Sequence, residues 1–255
     1  MSDKVNEFMK ILSIIYDGGS RIPGARFAPT KYYQEAMLYD RKDSDIITIN
    51  LGNQDLFSID LESLSRTIAE SKVQIALGGD HSVTYLLAKA TVREGAYLIV
   101  LDAHLDYFKD FESVVKNWNF LSFLTDIFEK IIIIGERNFE FPSSFDNKII
   151  ILSMEEYWLN KSRVLKKLDS YIDESKDIYL SIDIDVLDPS VFDSVSYPII
   201  GGFQMNDFLG IISKILCSDK VYFCDIVEYN PMVGSDNAHI FYQMIQFVKS
   251  KLRRI

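Results

Sequence analysis

Seven short segments of this chain are apolar at almost every position. They are 45–50, 73–79, 96–104, 130–136, 148–153, 177–185 and 221–230. A strand that is covered on both faces shows such a continuous run, whereas a half-exposed strand alternates apolar and polar residues. We therefore predict that these segments are strands of a parallel sheet.

Five longer segments between these runs have helical periodicity, several of them after Ser, Asn or Asp at a plausible N-cap. They are 60–71, 82–93, 155–174, 206–216 and 237–252. Strands that alternate with helices predict an α/β fold with helices on both faces of the sheet. No linker-like segment divides the chain, so we expect one domain over 1–255. The segments 17–45 and 186–205 look irregular, and such loops usually carry function.

Composition narrows the class of protein. The chain has 255 residues, of which 48% are hydrophobic, but nowhere do eighteen apolar residues run together. The N-terminal segment carries charges within its apolar stretch and has no small-residue cleavage site. Cys217 and Cys224 lack metal-ligand or redox spacing, which indicates buried small hydrophobes in a reducing compartment. We expect a cytoplasmic protein without a membrane partner.

The net charge also limits the partners. It is -10 at pH 7, which argues against nucleic acid held by phosphate neutralisation. It mildly favours a cationic or metal-bound ligand.

Polar side chains follow four of the predicted strands, in "GGDHS", "LDAHLD", "IDIDVLDP" and "IVEYNP". The carboxyl ends of parallel strands meet at one edge of the sheet, where ligands bind. If the chain stays extended there, its side chains alternate between two sides. Asp102, His104 and Asp106 would then face one side together, and so would Asp183 and Asp185. Gly78 and Gly79 permit the close backbone approach and tight turn that bring His81 to the same place.

Several carboxylates cannot all stay ionised side by side in a buried site without cations. Asp80 and Asp188 we interpret as turn or cap residues. The remaining set of two imidazoles and four carboxylates has no thiolate, and it favours Mn²⁺ over structural zinc. The number of ligands is typical of two ions with shared carboxylates, which indicates hydrolysis by a metal-activated hydroxide.

These motifs resemble those of the ureohydrolases, which comprise arginase, agmatinase, formimidoylglutamase and relatives. The similarity covers nearly the whole chain, and its most specific parts are "GGDHS", "DAHLD" and "SIDIDVLDP" in that order. It implies a three-layer α/β/α sandwich around a mainly parallel eight-stranded sheet. It also implies a homo-oligomer, usually a trimer or hexamer.

Carried over by position, the resemblance implies a role for each ligand. His81 and Asp106 would bind one manganese, His104 and Asp185 the other, with Asp102 and Asp183 as bridges. Asp106 would also orient the hydroxide as a catalytic residue. Glu228 would grip the guanidinium of a small cationic substrate, since a carboxylate pairs well with a planar N–H fork. The products would be urea and an amine.

The substrate side departs from the family pattern. Family members carry a proton-shuttling His about fifteen residues after that of the "DAH" motif, where this chain has Asn119. Tyr197 stands where a Thr before proline is usual, and both residues are predicted to face the substrate. His239, Tyr197 and Tyr107 are the remaining groups with a transferable proton. We therefore expect a slow hydrolase or one with altered specificity.

Two functions from different classes remain open. The first is an agmatinase-like manganese enzyme that cleaves a guanidino C–N bond, because the loop 107–119 lacks the Ser and Asn cluster with which arginases recognise an α-amino acid. The second is a metal-retaining paralogue that acts on another substrate, such as a formimino compound, or serves as a binding or structural subunit. Deacylases of the histone-deacetylase type have a related sheet, but they use one zinc and do not pair "GGDHS" with "DAHLD".

The group at the far end of the substrate is also open. Asp110 and Glu112 could pair with a distal amine, whereas Lys109 and Lys116 could hold a carboxylate. All four also suit a solvated charged loop.

Overall fold

The computed structural model describes residues 9–39, 46–108, 113–138 and 146–252. Eight strands form one sheet in these ranges: β1 (Ile11–Ile15), β2 (Ile46–Asn50), β3 (Ile75–Leu77), β4 (Tyr97–Leu101), β5 (Lys130–Ile134), β6 (Ile149–Leu152), β7 (Ile178–Asp183) and β8 (Val221–Val227). The helices are α1 (Ala28–Leu38), α2 (Leu61–Ser71), α3 (Val83–Thr91), α4 (Met154–Glu174), α5 (Met205–Leu216) and α6 (Ala238–Leu252). The strand order is β2-β1-β3-β8-β7-β4-β5-β6, and all neighbours are parallel.

Both faces of the sheet are covered, which explains the continuous apolar runs. On one face, residues of α1, α4, α5 and α6 pack against strand residues such as Ile99. On the other face, α2 and α3 pack against residues such as Val100. Consecutive strand residues therefore enter different cores, and each core removes apolar area from water. The predicted three-layer α/β fold is confirmed.

The five predicted helices lie within a few residues of their observed positions, and Asp60 and Ser153 cap two of them. The elements that the pattern missed are β1 and α1. The segment 17–45 was predicted to be irregular, but it contains α1. This helix buries Tyr32 and Ala36 yet exposes Met37 and Leu38, so it has no single apolar stripe to recognise.

Two expectations from composition have different outcomes. Cys224 is buried as predicted, but the prediction was wrong for Cys217, which is exposed just after α5. Across the described ranges, the helices are too short or too polar to cross a bilayer.

Candidate metal and substrate site

The polar motifs follow four strands that lie side by side in the centre of the sheet. His81 follows β3, Glu228 follows β8, Asp183 ends β7 and Asp102 follows β4. Because all four strands run the same way, their carboxyl ends open on one crevice.

Six side chains meet there at close range. His81 Nδ1 lies 3.0 Å from Asp183 Oδ2, 3.1 Å from Asp102 Oδ2 and 3.4 Å from Asp106 Oδ2. His104 Nδ1 lies 2.9 Å from Asp185 Oδ2 and 3.5 Å from Asp102 Oδ1. Two candidate ligand groups result, namely His81 with Asp102 and Asp106, and His104 with Asp102 and Asp185. Asp102 belongs to both and presents one oxygen to each histidine.

The backbone at these ligands is turned and not extended, although the sequence had led us to expect an extended chain. β4 ends at Leu101, and Asp106 has a positive φ of 48°. Asp185 lies in a one-turn helix after β7. Alternation along an extended strand is therefore the wrong reason for the convergence, since turns bring the ligands together. Each turn is held by an aspartate of the site: Asp102 Oδ1 accepts a hydrogen bond from His104 N (2.7 Å), and Asp183 Oδ1 accepts one from Asp185 N (2.8 Å).

The glycines before His81 behave as expected. A Cβ on Gly79 would overlap the carbonyl oxygen of Tyr16, so only glycine fits this close approach of two backbones. Gly79 O also accepts a hydrogen bond from Glu228 N, and His81 N donates to Glu228 Oε1, both at 2.8 Å. The loops after β3 and β8 are thereby locked to each other.

The cluster suits divalent cations by its chemistry. His81 Nδ1 and Asp102 Oδ2 are fully buried and lack a properly directed hydrogen bond, although they lie 3.1 Å apart. Buried polar atoms left in this state are costly unless something binds them. Imidazole nitrogens and carboxylate oxygens aimed at a shared space match the preferences of Mn²⁺ and similar ions.

The titration behaviour of the cluster reflects the crowding of its charges. Burial and the Asp102 charge raise the pKa of Asp106 to about 7. Burial lowers the pKa of His104, but Asp185 and Asp102 outweigh it and raise that pKa to about 12. Burial together with Asp185 raises the pKa of Asp183 well above its usual range. The cluster on its own therefore retains protons, which bound cations would displace.

A buried hydrogen-bond chain orients His81 from behind. Ser181 Oγ donates to Asp225 Oδ1 (2.6 Å), and Tyr179 Oη donates to Asp225 Oδ2 (2.5 Å). Because Ser181 gives its proton to Asp225, it accepts from His81 Nε2 at 3.0 Å. The lone pair of Nδ1 is then free to face the carboxylates, as a metal ligand requires.

Replacing Asp225 with asparagine should weaken Mn²⁺ binding by about 10- to 100-fold, because the hydrogen-bond chain behind His81 would lose the negative charge that raises the basicity of this histidine. Calorimetric titration of the metal-free protein measures this affinity. The matched control is Asp126→Asn at an exposed carboxylate, which should bind like the wild type. Equal affinities in the two variants would contradict a role for Asp225 in orienting His81.

A cavity of about 670 Å³ opens beside the cluster. Its walls include Glu228, Asn117, Asp106, Tyr197, Arg21, Asn138, Phe108 and Trp118. His81 N and Asn117 Nδ2 (3.2 Å) both donate to Glu228 Oε1. No described residue donates to Glu228 Oε2, and the buried Asn117 Oδ1 also has no partner there. Glu228 and Asn117 therefore line the cavity beside the metal cluster, each with an oxygen that no described residue engages.

Glu228 is held under strain and in a charged environment. Its φ of 67° is left-handed, which costs a non-glycine residue about 1–3 kcal/mol and is typical of functional sites. Burial and the charge of Asp80 raise its pKa to about 8. A bound cation would stabilise the ionised form of this carboxylate.

Arg137 is a site residue that the sequence reasoning missed. It is fully buried behind the crevice, and its guanidinium donates to six backbone carbonyls, those of Gly135, Asp185, Val186, Leu187, Ile199 and Ile200. The segment that carries ligand Asp185 is thus tied to the loop beside Tyr197. The signal was a lone arginine directly after an apolar strand, in "IIIIGER".

The structure separates the residues predicted for the substrate side. Tyr197 lines the cavity, with its ring 6.5 Å from that of His104. Asn119 is fully buried, and its amide hydrogen-bonds the backbone of its own loop at Lys116 N and Val114 O. The asparagine of this loop that faces the cavity is Asn117, which the sequence reasoning passed over.

The other two proton-carrying candidates do not line the cavity. His239 lies on the surface, where it contacts Tyr39 Oη (2.9 Å) and Gln243 Nε2 (2.8 Å). Tyr107 is buried in the core. Of the three groups, Tyr197 is therefore the one in reach of a substrate.

Comparison with known proteins identifies relatives of this architecture. Residues 8–247 match the arginase family. The N(1)-aminopropylagmatine ureohydrolase of Thermus thermophilus is 26% identical over 249 residues, which cover 87% of this chain and 82% of that protein. The agmatine ureohydrolase of Thermoplasma volcanium is 21% identical with a TM-score of 0.79, over 97% of this chain and 90% of that one. The proclavaminate amidino hydrolase of Streptomyces clavuligerus is 20% identical with a TM-score of 0.80, over 96% and 91%.

Proposed function

The chain belongs to the arginase family, and from this premise we propose that it is a dinuclear manganese hydrolase that cleaves a guanidino C–N bond. Support comes from the six convergent ligands beside a cavity lined by Glu228 and Asn117, each of which keeps an oxygen without a partner among the described residues. The ureohydrolase and amidino hydrolase names of its relatives support the same reaction class. We also propose that the protein is cytoplasmic and that it forms a homo-oligomer.

The cavity recognises the planar head of the substrate. Glu228 and Asn117 line it, and Glu228 Oε2 and Asn117 Oδ1 are acceptors without a partner among the described residues, while two donors hold Glu228 Oε1 in place. A guanidinium carries N–H groups in one plane, so it can donate to both acceptors at once. Its carbon would then lie next to the ligand cluster.

The metal ligands prepare the attack. Two Mn²⁺ ions, held by His81 with Asp106 and by His104 with Asp185 and shared through Asp102 and Asp183, would supply Lewis acidity and lower the pKa of a bound water. Asp106 lines the cavity, so its carboxylate can accept a hydrogen bond from that water and orient it.

Release of the amine needs a proton, and the cavity offers few donors. Tyr197 is the candidate among the groups named from sequence, because its side chain lines the cavity. A positioned acid or base typically contributes about 10² to 10⁴ in rate. Without a histidine in this place we expect a kcat below the median of about 10 per second for enzymes.

The test compares metal-free and Mn²⁺-loaded protein. Urea release should require Mn²⁺, and Mn²⁺ should raise the melting temperature that chelation lowers. Glu228→Gln should lower kcat/KM about 10- to 100-fold, because a charged hydrogen bond to the guanidinium is lost, while the Mn²⁺-dependent melting shift remains.

The compounds to be assayed are agmatine, L-arginine, 4-guanidinobutyrate and N-formimidoyl-L-glutamate. For the last of these, the product to be measured is formamide and not urea. Metal stabilisation without any product would contradict the hydrolase and favour the binding subunit. A kcat well above 10 per second that survives Tyr197→Phe would contradict the argument from the missing histidine.

A further inference from the structure

Among the described residues, one permanent cation lines the cavity, at a place that the proposed reaction does not use. Arg21 is the residue of permanent positive charge among the described residues that line it. Its side chain is exposed and forms no hydrogen bond or ion pair with any described residue. Two other arginines already have partners. Arg26 donates a hydrogen bond to Asp17, and Arg137 donates to backbone carbonyls.

The backbone holds Arg21 firmly at this place. Asp80 Oδ2 accepts hydrogen bonds from Gly19 N (2.7 Å) and Ser20 N (2.8 Å) on one side of it. On the other side, Ile22 N donates to Ser20 Oγ at 3.1 Å. The backbone of this loop is therefore ordered before a ligand arrives, which lowers the entropy cost of binding.

Among the described residues, the charges of the site leave Arg21 without a counterpart. Two divalent cations would offset the four aspartates of the cluster, and the substrate guanidinium would offset Glu228. Among the described residues of the wall, the charge that remains is that of Arg21, although the chain as a whole carries a net charge of -10. A distal ammonium, as in agmatine, would be repelled there, whereas a carboxylate would be attracted.

Lys116, a sequence-based candidate for holding a carboxylate, is already engaged. Its Nζ donates to Gly18 O at 3.0 Å, so it joins its own loop to the loop of Arg21. Lys109, Asp110 and Glu112 lie outside the described residues.

We propose that Arg21 binds a carboxylate at the end of the substrate opposite the guanidinium, so that the substrate class is a guanidino acid. The proposal rests on the proposed function for the guanidinium end. It departs from the agmatinase-like expectation at the distal end. A planar arginine fork pairs with a carboxylate through two parallel hydrogen bonds.

The deciding experiment pairs two probes of similar length, 4-guanidinobutyrate and agmatine, on Mn²⁺-loaded protein. We expect kcat/KM to be at least about 10-fold higher for the acid, since charged hydrogen bonds contribute about 10- to 100-fold. Arg21→Ala should lower kcat/KM for the acid by about that factor, mainly through KM, and raise it for agmatine, whose distal ammonium is then no longer repelled. Arg21→Lys should restore part of the loss, and Arg21→Glu should reverse the preference. The control is Arg66→Ala, an exposed arginine of α2.

Calorimetric binding of 4-guanidinobutyrate to the same proteins separates the two proposals. If no compound yields product but the acid binds to wild type and not to Arg21→Ala, the hydrolase is contradicted and the carboxylate site stands. If agmatine is cleaved as well as the acid, or Arg21→Ala binds the acid as the wild type does, the carboxylate site is overturned. Absence of binding of the acid to the wild type overturns it too.

Discussion

Replacing Asp102 with asparagine should lower Mn²⁺-dependent urea release by about 10⁴-fold, because the residues of a catalytic unit fail together when one is removed. Asp102 is the aspartate common to both ligand groups, with Oδ2 3.1 Å from His81 Nδ1 and Oδ1 3.5 Å from His104 Nδ1. An amide keeps the size of the side chain but presents one oxygen and no charge. Both metal positions should therefore weaken.

The melting temperature gives a second readout that needs no substrate. At 100 times its Kd a metal stabilises the wild type by about 2.7 kcal/mol, which is about 5 to 10 °C for a chain of this size. Asp102→Asn should lose this shift, whereas Asp126→Asn, at an exposed carboxylate, should keep it. A variant at position 102 that retains both the shift and the activity would refute the shared role of Asp102.

Replacing Arg137 with methionine should destabilise the protein by about 3–5 kcal/mol, the range found when one partner of a buried charged network is removed. Six carbonyls would lose a charged donor, and those of Gly135, Asp185, Val186 and Leu187 would lose it in a buried place. Burial also lowers the pKa of Arg137, which shows how costly the bare charge would be without these acceptors. Methionine fills similar space but satisfies none of them.

Chemical denaturation of the metal-free protein measures this loss without interference from the ions. Arg137→Lys should recover part of it, since an ammonium reaches fewer carbonyls than a planar fork. Arg66→Ala, on the exposed face of α2, should change the free energy of unfolding by less than about 0.5 kcal/mol. A loss below about 1 kcal/mol for Arg137→Met would show that the two loops hold together without it.

Local patterns were sufficient for most elements, because each strand or helix must match its own period to be buried. The apolar run of β4 and the cap at Asp60 are local features, and both were predictable. β1 and α1 were not predictable, because neither has a clear period. β1 is a five-residue run among charged neighbours, and α1 has apolar residues on two faces. Asp106 was predicted as a ligand from its motif, but its positive φ overturned the expected geometry.

What the sequence by itself determined is the class of the fold and the identity of the chemical groups, since residue type fixes which atoms can bind a cation. Strand order was left to the tertiary structure. It places β3, β8, β7 and β4 side by side, although the chain visits them far apart, so His81 meets Asp183 and Asn117 meets Glu228. The same long-range packing sets Arg137 under the ligand loop and Arg21 at the cavity wall. Periodicity cannot encode such pairs, because they depend on which distant segments are adjacent and not on the residues next to them.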